Sequence, residues 1–279
     1  MVMADESPPP TSSGSGPRIR RSLDGERLLA VFSKLVDPLG RSMPATSEVV
    51  LHDLSLLPNS IIAIHGNVTG RVVGDPATDL LLERIANRDD SDSHLNYETV
   101  LPDGRRLRSS TMILRDVAGN ACAALCINTD TSAWETVELV AKAVLGRLGE
   151  TEIGALLHPT HRTGHALQPT SGAPGGASVP SGPAAQPQRE TFVRDIDELA
   201  QVILGRAIAE SGVPVELMHK RHKVEVVRQL EARGLFLLKD AVELAAHALQ
   251  VTRFTIYNYL NEIHDHSEED DERKASNEV

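Results

Sequence analysis

Aromatic side chains are scarce: one Trp, three Tyr and four Phe make up 3% of the 279 residues, so aliphatic side chains must fill any core. Cysteine is scarcer still, with Cys122 and Cys126 alone. On an extended strand the two share one face, about 13 Å apart at 3.3 Å per residue. That separation excludes a disulfide or a shared metal unless the strand bends. Both read as small core residues, at home in a reducing compartment. No run approaches the roughly 20 apolar residues that a membrane helix needs. The Ser-, Pro- and Gly-rich start, residues 1–17, lacks the apolar stretch of a secretory signal. These absences predict a cytoplasmic protein with no membrane segment. No Ser/His/Asp or Cys/His spacing defines a catalytic constellation, because such triads assemble only in three dimensions. We therefore name no catalytic residue, metal or cofactor, and expect no enzyme.

Positive charge is also short overall. The net charge is -11, which looks wrong for a nucleic-acid binder, so its location matters. From Asp265 onward seven acids face only Arg273 and Lys274, and residues 265–279 read as a disordered acidic tail. Residues 219–239 run the other way. Lys220, Arg221, Lys223, Arg228, Arg233 and Lys239 stand against Glu225 and Glu231. Global acidity thus leaves room for a local phosphate-facing patch.

What is present falls into two units. Residues 1–21 read as a disordered tail. Residues 158–189 are mostly Pro, Gly, Ser, Ala and Thr and cannot bury enough apolar surface to fold. As a flexible linker they would span about 30 Å and tether the units loosely. The first unit, residues 22–157, opens with helical spacing at Leu28, Leu29, Phe32, Leu35 and Val36. Strand-like runs follow at 48–54 and 61–65. A helix is predicted over 75–86, capped by Asp75 with Pro76 at its first position. Strands at 96–101 and 106–115 flank the hairpin signal Pro102-Asp103-Gly104. A last strand, 121–128, leads to a helix capped by Thr131 or Ser132 with Trp134, Val137, Ala141, Val144 and Leu148 on one face. This order predicts a small α+β domain with an antiparallel sheet. The second unit, residues 190–264, reads as all-helical. Its parts are a stripe at Phe192, Ile196, Leu199 and Ile203, a helix over 213–233, Gly234 as a left-handed helix end, and a third helix started by Asp240 and Glu243.

The segment from Asp240 to Leu260 carries the function. Two short helices are separated by a tight break at Leu249-Gln250-Val251, and Thr252 is a good N-cap for the second. Val242, Ala245, Leu249, Val251, Ile256 and Leu260 supply apolar contacts, and Ala246 is small at the crossing. This is the grammar of a helix-turn-helix, with Gln250 where Gly is usual. Thr252, Arg253, Phe254, Thr255, Tyr257 and Asn258 would face outward. Arg can read guanine, Asn adenine, and Thr or Phe a thymine methyl in the major groove. The bland alternative is an ordinary helical hairpin with a polar outer face. Lys220, Arg221 and Lys223 are either phosphate contacts or a solvated helix face.

With these motifs in view, the chain resembles bacterial regulators that join an N-terminal YheO-like PAS domain to a C-terminal helix-turn-helix. The resemblance rests on EVVLHDLS (48–55), SIIAIHGNVTGRVVGDP (60–76), PDGRRLRSSTMILR (102–115), LCIN (125–128), GLFLLK (234–239), Ala241 to Ala248, and VTRFTIYNYLNE (251–262). It implies a sensory PAS fold and transcriptional control, and names no effector. His65, Asn67 and Arg71 are candidate ligand contacts in such a domain, or else surface-loop residues. His52 reads as a strand residue with a local hydrogen bond. Gly66, Gly70 and Gly74 lack phosphate-loop spacing and read as turn residues. His158, His161 and His165 have metal-like spacing but lie beside Pro159 and Gly164 in the linker, so a solvated reading is preferred.

The expected partners are double-stranded DNA, a small-molecule effector and a second copy of the chain, contacting through the opening helix or the helix at 134–148. The alternatives are a PAS domain that only dimerises, an adaptor whose helical unit binds protein rather than DNA, and a small-molecule enzyme in the α+β unit.

Overall fold

The computed structural model of the protein describes residues 21–87, 93–147 and 190–277, with side chains as far as Asp265. The tail as far as Arg20, the linker over 158–189 and its three histidines lie outside those residues.

The first unit opens with α1 (Leu23–Ser42), whose N-cap Ser22 accepts a hydrogen bond from the Gly25 amide. There follow β1 (Ser47–Asp53), β2 (Ile61–His65), α2 (Asp79–Ala86), β3 (Ser93–Val100), β4 (Arg106–Arg115), β5 (Ala121–Asp130) and α3 (Ser132–Val144). The five strands form one sheet in the order β2-β1-β5-β4-β3, with every neighbouring pair antiparallel. β1 and β5 are central and covered on both faces, so β1 is buried at all seven positions instead of alternating.

α1 packs its apolar stripe, Leu29 and Val36, on Val49, Leu51, Ala123 and Leu125. The opposite face is polar for an interior. Glu48, Thr99, Ser109, Thr111 and Asn128 are all buried there beside Tyr97 and Cys126. The cysteines do not share a face as expected. The register slips at Leu114/Arg115 opposite the start of β5. Cys122 therefore joins the cluster under α1, while Cys126 faces the Thr111 hydroxyl on the other side. A bulge adds one residue to one strand and inverts the alternation beyond it.

α2 begins later than predicted. Thr78, not Asp75, is the cap, and its hydroxyl accepts from the Leu81 amide. Asp75 instead accepts from the Val72 amide and closes the preceding turn. Gly66, Gly70 and Gly74 all sit in turns with positive φ, and His52 Nδ1 bonds Ser60 Oγ at 2.8 Å, as expected.

The second unit comprises α4 (Ile196–Glu210), α5 (Lys220–Ala232), α6 (Ala241–Ala248) and α7 (Arg253–Asn277). The helix expected over 213–233 is interrupted. A short 3-10 turn, Val215–Leu217, follows Pro214, and α5 starts only at Lys220. Pro214 has no N–H to offer an α-helix. Phe192 lies before α4, which is capped by Asp195. The order expected to end at His264 continues as α7 through Asn277. No Gly or Pro follows Gly234, and Glu, Arg, Lys and Ala favour continued helix.

The expectation of loosely tethered units gives way to a shared interior. Leu54, Ala77, Leu81, Leu82 and Ala124 of the first unit belong to one apolar cluster with Leu199, Ile203, Val226, Val227, Leu230 and Leu235 of the second. The sheet leaves the apolar side of α2 uncovered, and α5 with the turn after it buries that side. Gly234 (φ 74°) permits the approach, since a Cβ there would stand 2.7 Å from the Leu82 carbonyl oxygen. A polar seam runs alongside. The Thr191 amide donates to Asp79 at 2.6 Å, Arg206 pairs with the same carboxylate, and Arg206 Nη2 donates to the Thr191 hydroxyl at 2.8 Å.

Candidate nucleic-acid interface

α6 and α7 meet at the turn read from the sequence. Gln250 occupies the left-handed region (φ 52°) where Gly is usual. The Val251 amide donates to the Ala246 carbonyl at 3.0 Å, and the Thr252 hydroxyl accepts from the Thr255 amide at 3.2 Å. Ala241, Ala245, Ala246, Leu249, Ile256, Tyr259 and Ile263 are buried, with Val242, Val251 and Leu260 packed against them. Tyr259 and Ile263 complete the inner stripe of α7 at i+3 and i+7 from Ile256. Asp240 holds the expected N-cap position of α6 but does not cap it through its side chain. It sits at φ 58° with no capping hydrogen bond from its side chain.

The opposite side of α7 faces outward. Thr252, Arg253, Phe254, Tyr257 and Asn258 are exposed, and Thr255 is half-buried. Phe254 is 74% exposed. Arg253 leans on Glu243 of α6 at 2.5 Å, with both side chains more than half exposed. Such surface pairs hold weakly, so the guanidinium can exchange Glu243 for another acceptor. The N-terminus of α7 also presents free backbone N–H groups and the positive end of its dipole.

The three basic residues of α5 fare differently. Lys223 Nζ donates to the Leu249 carbonyl at 2.8 Å, tying α5 to the end of α6. Lys220 pairs with Glu262 of α7 at 2.7 Å, and that carboxylate raises the lysine pKa. Arg221 is exposed and bonds only the neighbouring His222 ring, at 3.2 Å. Of the three, Arg221 has the cationic group most available to a phosphate. The contacts of Lys223 and Lys220 span 26 and 42 residues, and nothing local in the sequence announces them.

The residues proposed for a ligand in the first unit are not brought together. His65 pairs with Asp37 of α1 at 3.0 Å, on the rim. Asn67 is exposed in the following turn. Arg71 alone enters the interior, with its side chain 1% exposed, beside Glu48, Phe192 and Glu190. Glu190, at the edge of the low-complexity stretch, escaped the sequence reading altogether.

Comparisons agree with this architecture. Residues 24–146 match the YheO-like PAS domain family, and residues 199–261 match a helix-turn-helix domain family. The transcriptional regulator DauR of Pseudomonas aeruginosa is 31% identical over 218 residues, covering 78% of this chain and 85% of that protein. The uncharacterised protein YheO of Escherichia coli K12 is 24% identical over 238 residues, 84% of each chain. An uncharacterised protein of Haemophilus influenzae is 22% identical over 241 residues, 86% of this chain and 93% of its own. No solved structure matches. With the sheet, the helical unit and the α6–α7 pair in place, the chain belongs to the family of transcriptional regulators that carry a YheO-like PAS domain followed by a helix-turn-helix domain.

Proposed function

We propose that the protein is a cytoplasmic, sequence-specific DNA-binding regulator that acts as a homodimer and receives a small-molecule signal in its PAS domain. One observation carries the reading. Arg253, Phe254, Tyr257 and Asn258 stand exposed on a helix whose other side is locked into the domain by Ile256, Tyr259 and Ile263. A helix held that way enters the major groove with its N-terminal residues foremost. Arg253 and Asn258 then read base edges, Phe254 and Thr255 meet thymine methyls, and Thr252 and Tyr257 contact the sugar-phosphate flank. Arg221 supplies a phosphate contact from α5. Lys220 and Lys223 are weaker candidates, since Glu262 and the Leu249 carbonyl already engage them.

Dimerisation draws support from α3. No residue of this helix is buried, and Trp134, Val137, Val140 and Val144 are all more than half exposed. A contiguous apolar helix face of this kind marks an interaction surface, and a second copy gives it a self-complementary partner.

The test is selection of bound sequences from random double-stranded DNA with the full chain, followed by titration at two salt concentrations. An enriched motif is expected, with affinity falling steeply as salt rises. Asn258→Ala should lose about 1–3 kcal/mol of discrimination at one position of that motif. Failure to enrich any motif, or an enriched motif indifferent to Arg253 and Asn258, overturns the reading in favour of a protein-binding adaptor.

A further inference from the structure

The polar interior of the PAS domain is incompletely satisfied at one place. Arg71 is buried, yet its guanidinium has few partners. Nε donates to the Thr69 hydroxyl at 3.2 Å, and Nη2 stands 3.9 Å from Glu48 Oε1. Nη1 has no partner. Glu48 cannot compensate, because its carboxylate is already taken. It accepts from the Val68 and Thr69 amides, the Thr69 hydroxyl and Asn128 Nδ2. A buried guanidinium with an idle N–H is costly and needs an explanation.

The nearby carboxyl group is that of Glu190. It is buried, it comes from outside the PAS sequence, and it is equally ill-matched. Oε1 accepts from the Thr78 hydroxyl at 2.8 Å, while Oε2 makes no hydrogen bond of normal geometry among the described residues, and the Tyr97 hydroxyl and Arg71 only partly offset the burial of its charge. Two residues on, Phe192 lies under the guanidinium, 5.0 Å from ring centre to Cζ, against Val68, Leu101 and Leu107. A carboxylate and an apolar body thus fill the end of a hydroxyl-lined face, and neither the carboxylate nor the guanidinium is fully used. Burial pushes the Glu190 carboxyl up to about 7, with Asp79 opposing its charge as well.

We propose that Arg71 is the anion-recognising residue of an effector site for a small carboxylate with a short apolar body, a site that Glu190 and Phe192 occupy in this structure. Rebuilt around a free carboxylate, the guanidinium can make the paired N–H contacts that Glu190 does not make. Effector and Glu190 compete for one place, so binding releases residues 190–194 from the PAS domain. The same segment is tied through Thr191 to Arg206 of α4 and Asp79 of α2. Release therefore loosens the seam between the sensory and helix-turn-helix units. The proposal rests on the sensory reading of the first domain and supplies its ligand class and its link to the second.

Glu190→Ala removes a methylene and a carboxylate, so acetate is the excised fragment. With full-length Glu190→Ala at constant ionic strength, acetate should raise the melting temperature in a saturable manner, and acetamide of the same shape should not. Wild type should need at least fivefold more acetate for the same shift, because Glu190 competes. Adding Arg71→Met to Glu190→Ala should abolish the response. If Glu190→Ala does not fold, Glu190→Gln keeps the shape and the Thr78 bond. Acetate should then increase amide exchange over 191–206 in that variant, and acetamide should leave it unchanged. Equal effects of acetate and acetamide, or a response that survives loss of Arg71, overturn the proposal. These readings use no DNA, so their failure rejects the Arg71 site and leaves the DNA-binding reading to its own selection experiment.

Discussion

At the scale of single residues, charge and burial give two sharp contrasts. Arg221 and Lys223 lie two apart on α5 and look equivalent in sequence. Lys223 donates to the Leu249 carbonyl just past α6, whereas Arg221 has no acidic partner among the described residues. Arg221→Ala should therefore reduce the salt slope of DNA binding by about one phosphate's worth with little change in stability. Lys223→Met should cost roughly 1.5–3 kcal/mol in denaturant unfolding, the range for a hydrogen bond to a charged group. Glu190 gives the second contrast. Its carboxyl titrates from 4.5 when unfolded to about 7 when folded. Its protonated form fits the fold best, so its contribution is intact in acid and shrinks as pH rises from 4.5 to about 7, then levels off. Relative to Glu190→Gln, wild-type stability should fall over that window by at most about 1.4 kcal/mol per pH unit. His52, whose pKa is pushed down by burial and by Arg71, titrates in both proteins and cancels from the difference. The outward residues of α7 were legible in sequence because helical periodicity fixes which side of a helix is wet. Glu190, Lys220 and Lys223 were not, since their roles depend on partners 26 to 112 residues away.

At the scale of elements, apolar spacing located strands and helices well and their ends less well. β2 and β4 match their sequence bounds because both stop at turn residues. α2 starts later than expected and α6 starts from its expected N-cap position, Asp240, but without the side-chain cap, because tertiary geometry decides which capping group is used. Thr78 wins over Asp75, which is already engaged with Val72, and Asp240 turns left-handed after the Leu235–Leu237 turn. The cap of α7 was read correctly, since Thr252 and Thr255 stand in local register. Thr252→Ala should lower unfolding stability by about 1 kcal/mol and weaken DNA binding by loosening the first turn of the recognition helix. Gly234 tests the contact between units. Gly234→Ala adds a Cβ against the Leu82 carbonyl and strains a positive φ. It should cost more than the roughly 1 kcal/mol of a left-handed alanine alone, measured by chemical denaturation, with amide exchange rising in both α2 and α5. A loss confined to α5 would mean the two units are energetically separate.

At the scale of the whole molecule, sequence composition suggests independence and the fold shows union. A low-complexity stretch is visible in sequence, whereas the complementarity of the α2 surface with α5 is not, because apolar residues carry no address. Shared packing joins the PAS domain to the unit that carries α7, and in the proposed dimer the geometry of two such units would decide how DNA is read. Recognition helices on paired half-sites must lie about 34 Å apart, so in the proposed dimer the contact between copies would set operator spacing. α3 is the exposed apolar helix that can supply it, with Val31 and Leu35 of α1 exposed as a second apolar contribution. Wild type should sediment as a dimer. Val137→Glu with Val140→Glu places like charges at the centre of a self-complementary face and should yield a folded monomer. That monomer should keep the base preference of a half-site but lose on the order of 10²–10⁴-fold in affinity for the paired site, the gain that linkage confers on a second contact. A double variant that still dimerises and binds the paired site as tightly as wild type would move the dimer contact off α3, and operator spacing would then have to be set by another surface.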